Sequence, residues 1–373
     1  YSLHLQEIFS QYSSHDTGLL PVPNPVHARA GEVSMKWFCS VVQAGLLVLL
    51  CAAPSFAADA WVADWDMTNG LAELRQSNFK NALMFAAYFD KQDKPFLTAD
   101  MKKALRGALA VLGSGQGVYL SVVNDVVEGP GKAAQKDPGL VSRIMAPAVS
   151  RTAHRRDLLA LLAVYPFKGL ELDYERVTME DWPKLLQFAH ELSTTLATQG
   201  KKLRLVMEPK QKYLQGDLPV GPQYVVMAYN LHGSHNGPGA KADDVFLRQL
   251  AQWCAHWPVK PGLALSAGGF AWNARGVVEL TERKAAAWAQ GAGVQPARDA
   301  ASHALYFKAA DNAPGSPLLA KGGTTGDICE VWYADGATLA HWAEVGRSLG
   351  FGEISLWRLG GNMPESLSKI AGE

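Results

Sequence analysis

The chain has 373 residues, of which 48% are hydrophobic, ample for a core. Its 35 basic and 35 acidic residues cancel, which gives no electrostatic case for nucleic acid or an anionic membrane surface as a partner. The length exceeds a usual single domain but suits one barrel of alternating strands and helices, a fold that runs to about 250 residues and more as a unit.

The first 34 residues are polar and irregular and read as an extension without a role in the fold. Met35-Lys36 then opens a charged region, Val41 to Ala53 is apolar, and Ser55-Phe56-Ala57 has the small-x-small form of a secretory cleavage site. Cleavage is expected after Ala57, and as second choice after Ala60, where Ala58-Asp59-Ala60 repeats the form. The rival reading takes the whole of this region as an unusually long leader. The apolar run is shorter than the about 20 residues that cross a bilayer, so no stable membrane insertion is expected. Leu50 before Cys51 spoils a lipoprotein site. The expected location is secreted or periplasmic.

Eight strand candidates follow, with helices between them: WVADW from 61, ALMFAAYF from 82, GVYLSVV from 117, GLELDYE from 169, LRLVME from 203, QYVVMAY from 223, GLALSA from 262 and GEISLW from 352. Helix punctuation is clear at Asp137-Pro138, a cap followed by proline in the first turn, and at Gly200, which closes the helix beginning near Glu180. Such alternation predicts a parallel sheet, and eight repeats predict closure into a (β/α)8 TIM barrel. Residues 268–335 break the rhythm, with the apolar runs HALYFKA and ICEVWYA around a Pro/Gly-rich segment. They predict a small strand-rich insertion between the last two barrel strands, within a catalytic unit spanning 58–373.

The fourth strand carries the most information. Period-two spacing puts Glu171, Asp173 and Glu175 on one face and Leu170, Leu172 and Tyr174 on the other. Carboxylates packed together inside a barrel push their pKa values apart, so one cup can hold an acid and an anion at the same pH. A solvated acidic stripe on an exposed edge is the competing reading; Gly169 and the large apolar alternates argue against it. The 11 tryptophans suggest carbohydrate, because flat apolar rings stack on sugar faces. Cys254, in a helical run, and Cys329, at the start of a strand, are as consistent with a disulfide as with two buried thiols. No Cys/His spacing fits a metal site, and His232 and His235 read as hydrogen-bonding loop residues, so neither metal nor cofactor is expected.

These segments carry a resemblance. GLELDYE is similar to the DGxDxDxE signature of glycoside hydrolase family 18, the chitinase-like enzymes. VVMAYN at 225–230 resembles the family's MxYD segment, and ISLWRLGG at 354–361 its last strand. EVWYAD at 330–335, SVVND at 121–125 and the Tyr174-Glu175 pair are closest in style to the spore-germination and cortex-lytic branch. The resemblance spans about residues 60–370 and implies roles. Glu175 would be the general acid, Asp173 would hold and polarise the substrate's acetamido group, and Tyr229 would donate to its oxygen. Trp357 would floor the sugar. Glu171 would share a proton with Asp173, and Met227, Asn230, Asn124 and Glu208 would line the substrate side. Lys168 and Glu171 replace aspartates of the signature, and Asn230 replaces the one that often follows the tyrosine. The implied partner is a polysaccharide or oligosaccharide containing N-acetylglucosamine, cut by a monomeric enzyme. Two other classes remain open: a carbohydrate-binding pseudoenzyme, disfavoured by retention of Asp173 and Glu175, and an envelope scaffold.

Overall fold

A computed structural model describes residues 58–113, 116–129, 131–319 and 325–372. The expected extension and leader therefore lie outside the described residues. Eight parallel strands form the barrel: β1 (Asp59–Ala63), β2 (Asn81–Phe89), β3 (Gly117–Gly129), β4 (Gly169–Asp173), β5 (Lys202–Met207), β6 (Gln223–Met227), β7 (Gly262–Ser266) and β8 (Ile354–Leu359). Each pairs with its neighbours in chain order, and β8 pairs with β1 to close the ring.

Alternation along the strands builds two cores. Val62, Met84, Leu120, Leu170, Leu172, Leu205, Val226, Leu265 and Leu356 point outward into a shell shared with the helices. Trp61, Leu83, Tyr119, Val123, Val206, Val225, Met227 and Ala264 point inward and fill the barrel. Helices start where the sequence offers side-chain acceptors: Thr98, Asp137, Asp243 and Asp335 each accept a backbone N–H of the first turn. The helix Trp182–Ala197 is followed by Gly200 in the left-handed region, at φ +69°.

The insertion follows β7 directly. It is a five-stranded antiparallel sheet in the spatial order 276–280, 268–273, 328–334, 305–310 and 297–298, with the helix Glu282–Gly291 packed on it. Trp288, Phe307, Val331 and Tyr333 form its own core. Where the chain leaves the barrel only glycine fits, since a Cβ on Gly269 would stand 1.8 Å from the Trp332 carbonyl oxygen. Cys254 ends the helix Asp244–Cys254 and Cys329 lies in the strand Ile328–Ala334; both are buried free thiols, so the disulfide alternative falls.

Candidate active site

The inward residues of the barrel form two polar layers. The lower one centres on Arg204 of β5, which is fully buried. Its Nη1 donates to Asp59 Oδ2 at 2.7 Å, its Nε to Glu171 Oε2 at 2.9 Å and its Nη2 to Ser355 Oγ at 3.0 Å. The other oxygen of Glu171 accepts from Trp61 Nε1 at 2.7 Å and Ser121 Oγ at 2.6 Å. Four strands are thereby tied through one guanidinium, and the Glu171 carboxylate has three donors.

One step up, at the carboxyl ends of the strands, Trp61, Phe85, Lys136, Asp173, Glu175, Val206, Tyr229 and Trp357 line a cup. This is the end at which barrels of this type keep their reactive groups. Asp173 is buried and Glu175 sits half-buried at the rim, two residues beyond on the same face. Burial pushes the Asp173 carboxyl up to about 7, with Glu175 and Glu171 pushing the same way and the Lys136 ammonium opposing them. Its Oδ1 is buried with no hydrogen-bond partner among the described residues. Trp357 is half-buried in the lining of the cup and packs among Phe85, Trp61 and Trp65, with ring centroids 4.8, 5.8 and 6.4 Å away.

The structure brings together Asp173, Glu175, Tyr229 and Trp357 as the sequence leads one to expect, and it moves the other candidates elsewhere. Glu171 is one layer down, saturated by Trp61, Ser121 and Arg204, and does not line the cup. Asn124 is buried beneath Glu175: its Nδ2 donates to the Glu175 carbonyl at 2.9 Å, and its Oδ1 accepts from the Glu175 N–H at 3.0 Å. It holds the rim carboxylate by its backbone. Glu208 accepts from the Arg176 N–H at 2.7 Å and from Lys210, outside the cup. Met227 belongs to the apolar packing inside the barrel, and Asn230 lies half-buried beyond the lining.

Sequence reasoning misses Lys136. It follows the short strand Lys132–Ala134 and has φ +51°, uncommon outside glycine. Its Nζ lies 3.2 Å from Asp173 Oδ2 and 2.9 Å from Glu175 Oε1. Burial alone would depress this ammonium; Asp173, Glu175 and Asp125 outweigh it and hold it well above its usual range. Trp61 and Phe85 were legible as strand residues only, although Trp61 has inward parity in β1. Among the described residues no cluster of His, Cys, Asp and Glu could hold a metal ion, and no helix is long and apolar enough to cross a membrane.

Solved structures share this barrel architecture. The chain is similar to the spore cortex-lytic enzyme SleL of Bacillus cereus, with a TM-score of 0.70 at 16% identity over 85% of this chain and 74% of that one. It is similar to a chitinase from Chromobacterium violaceum, with a TM-score of 0.69 at 18% identity over 84% of this chain and 98% of that one. A class V chitinase from Nicotiana tobaccum gives 0.67 at 15% identity over 85% and 97%. These neighbours are glycoside hydrolase family 18 barrels, and at such identities the likeness establishes the fold. No protein-family model and no curated protein matches the chain.

Proposed function

We propose that the chain is a secreted glycoside hydrolase of the family 18 type that cleaves β-linked polysaccharide containing N-acetylglucosamine, in peptidoglycan or a chitin-like polymer. The observation that carries this reading is the orphaned Asp173 Oδ1 beside Glu175 in a tryptophan-floored cup, since buried acceptors seldom go without a donor. An acetamido N–H supplies that donor. Glu175 protonates the glycosidic oxygen as its bond to the anomeric carbon breaks, and the acetamido oxygen closes on that carbon, oriented by Asp173 and by a hydrogen bond from Tyr229. Water, deprotonated by the Glu175 carboxylate, then opens the ring with retention.

Release of reducing sugar from chitooligosaccharides and from purified peptidoglycan tests the reading. Activity is expected on at least one, and Glu175→Gln is expected to lower it by about 10²–10⁴ while sugar binding survives. The ion pairs from Lys136 to both carboxylates favour a second reading, a carbohydrate-binding protein with weak or no turnover. Binding without any sugar release from wild type would establish that one.

The location follows from the leader and is likewise proposed. A mature chain starting at Ala58 keeps Asp59, whereas cleavage after Ala60 would strip Arg204 of a buried partner. Removal of a buried ion partner costs about 3–5 kcal/mol, so Ala58 is the start expected in an intact mass of exported protein.

A further inference from the structure

Lys136 is placed at a cost. Its backbone lies in the left-handed region, its N–H donates to Asp125 Oδ1 at 2.9 Å, and the next residue is pinned by its own N–H to the Asn124 carbonyl at 2.9 Å. The side chain then runs into the barrel past the Phe85 ring, whose centroid is 5.6 Å from Nζ. Taking an ammonium out of water costs several kcal/mol, which a solvated lysine at this turn would avoid. The charges facing it come from two strand ends. Asp173 at the end of β4 and Glu175 two residues beyond it bond it, with Glu171 one layer below; Asp125 approaches from β3, and Arg176 acts on Asp125 in turn.

We propose that Lys136 is a positioning residue of the cup, an internal counter-cation that sets the pH range over which Asp173 and Glu175 together hold the single proton the reaction needs. The proposal rests on the assignment of those two carboxylates to glycoside cleavage. Turnover requires Asp173 ionised to accept the acetamido N–H and Glu175 protonated to donate. A positive charge within 3.2 Å of both carboxylates favours the more ionised states of the pair, which sets the working range lower than the same two carboxylates would have without it. An opposite charge this close lowers a carboxyl by about 1–3 pH units, and the two limbs of the profile belong to the pair rather than to either residue.

The test is the pH dependence of kcat/KM on a fluorogenic chitobioside, run beside binding of an N-acetylglucosamine thiazoline at each pH. Lys136→Met keeps the length and removes the charge, and it is expected to carry both limbs up by about 1–3 pH units. Lys136→Gln, a neutral amide that still donates to the carboxylates, is expected to move them the same way, and it keeps the measurement open should the methionine variant fold poorly. Lys136→Arg is expected to restore the wild-type position. A lysine that only braces the loop would change rate or melting temperature and leave the limbs where they are. Wild type that turns over the chitobioside, with limbs unmoved in the neutral variants, overturns the Lys136 assignment alone. Wild type that neither hydrolyses the chitobioside nor binds the thiazoline removes the carboxylate assignment and this proposal with it.

Discussion

Asn124 does not line the cup, yet it fixes the residue on which proton donation is proposed to depend. Its amide closes two hydrogen bonds with the backbone of Glu175, and Asn124→Ala would leave that N–H and C=O without their partners. A stability loss of about 1–3 kcal/mol is expected from the unsatisfied groups. A fall in kcat of more than about tenfold is expected with KM little changed, because a displaced acid loses alignment rather than affinity. Steady-state kinetics beside a denaturant melt separate the two effects. This layering explains what the sequence hides. Period-two spacing tells which side chains point inward and is silent on depth, so Glu171 and Asp173 look equivalent until Arg204 captures the lower one. Lys136 stands 39 positions before Glu175 on a turn whose left-handed backbone no pattern announces, and only the fold brings them together.

The elements were more legible than the site. Each strand begins within two residues of its expected start, because β-branched and apolar runs between Gly, Asp and Pro signals leave little choice. Order within the insertion sheet was not legible, since its antiparallel partners lie up to 66 residues apart, as at Gly268 opposite Ala334. Nor was the joint between the insertion and the carboxyl-terminal helix Pro364–Ala371. Glu282, in the first turn of the insertion helix, accepts from the Met363 N–H at 2.9 Å and the Ser366 hydroxyl at 2.6 Å. Burial pushes its carboxyl up to about 7 against those hydrogen bonds. A carboxyl raised in the folded state favours folding fully below its unfolded pKa of 4.5, and that contribution is lost as pH rises through about 7. Melting temperature is therefore expected to decline between pH 4.5 and about 7 more steeply in wild type than in Glu282→Gln. Parallel slopes would remove Glu282 from the account.

At the scale of the molecule the barrel divides its polar interior into a structural half and a chemical half. The Arg204 network joins β1, β4, β5 and β8 and leaves Glu171 no free oxygen, while the cup above keeps Asp173 Oδ1 unpaired. The central claim is that this oxygen and Tyr229 grip an acetamido group that serves as the nucleophile. Turnover of matched N-acetylated and de-N-acetylated chitooligosaccharides, each with and without the thiazoline analogue of the cyclised intermediate, tests it most directly. Cleavage confined to bonds with a 2-acetamido sugar on the non-reducing side, and inhibited by the thiazoline, is the predicted result. Equal turnover of both substrates with indifference to the thiazoline would contradict it and leave the carboxylates of the cup to be reassigned.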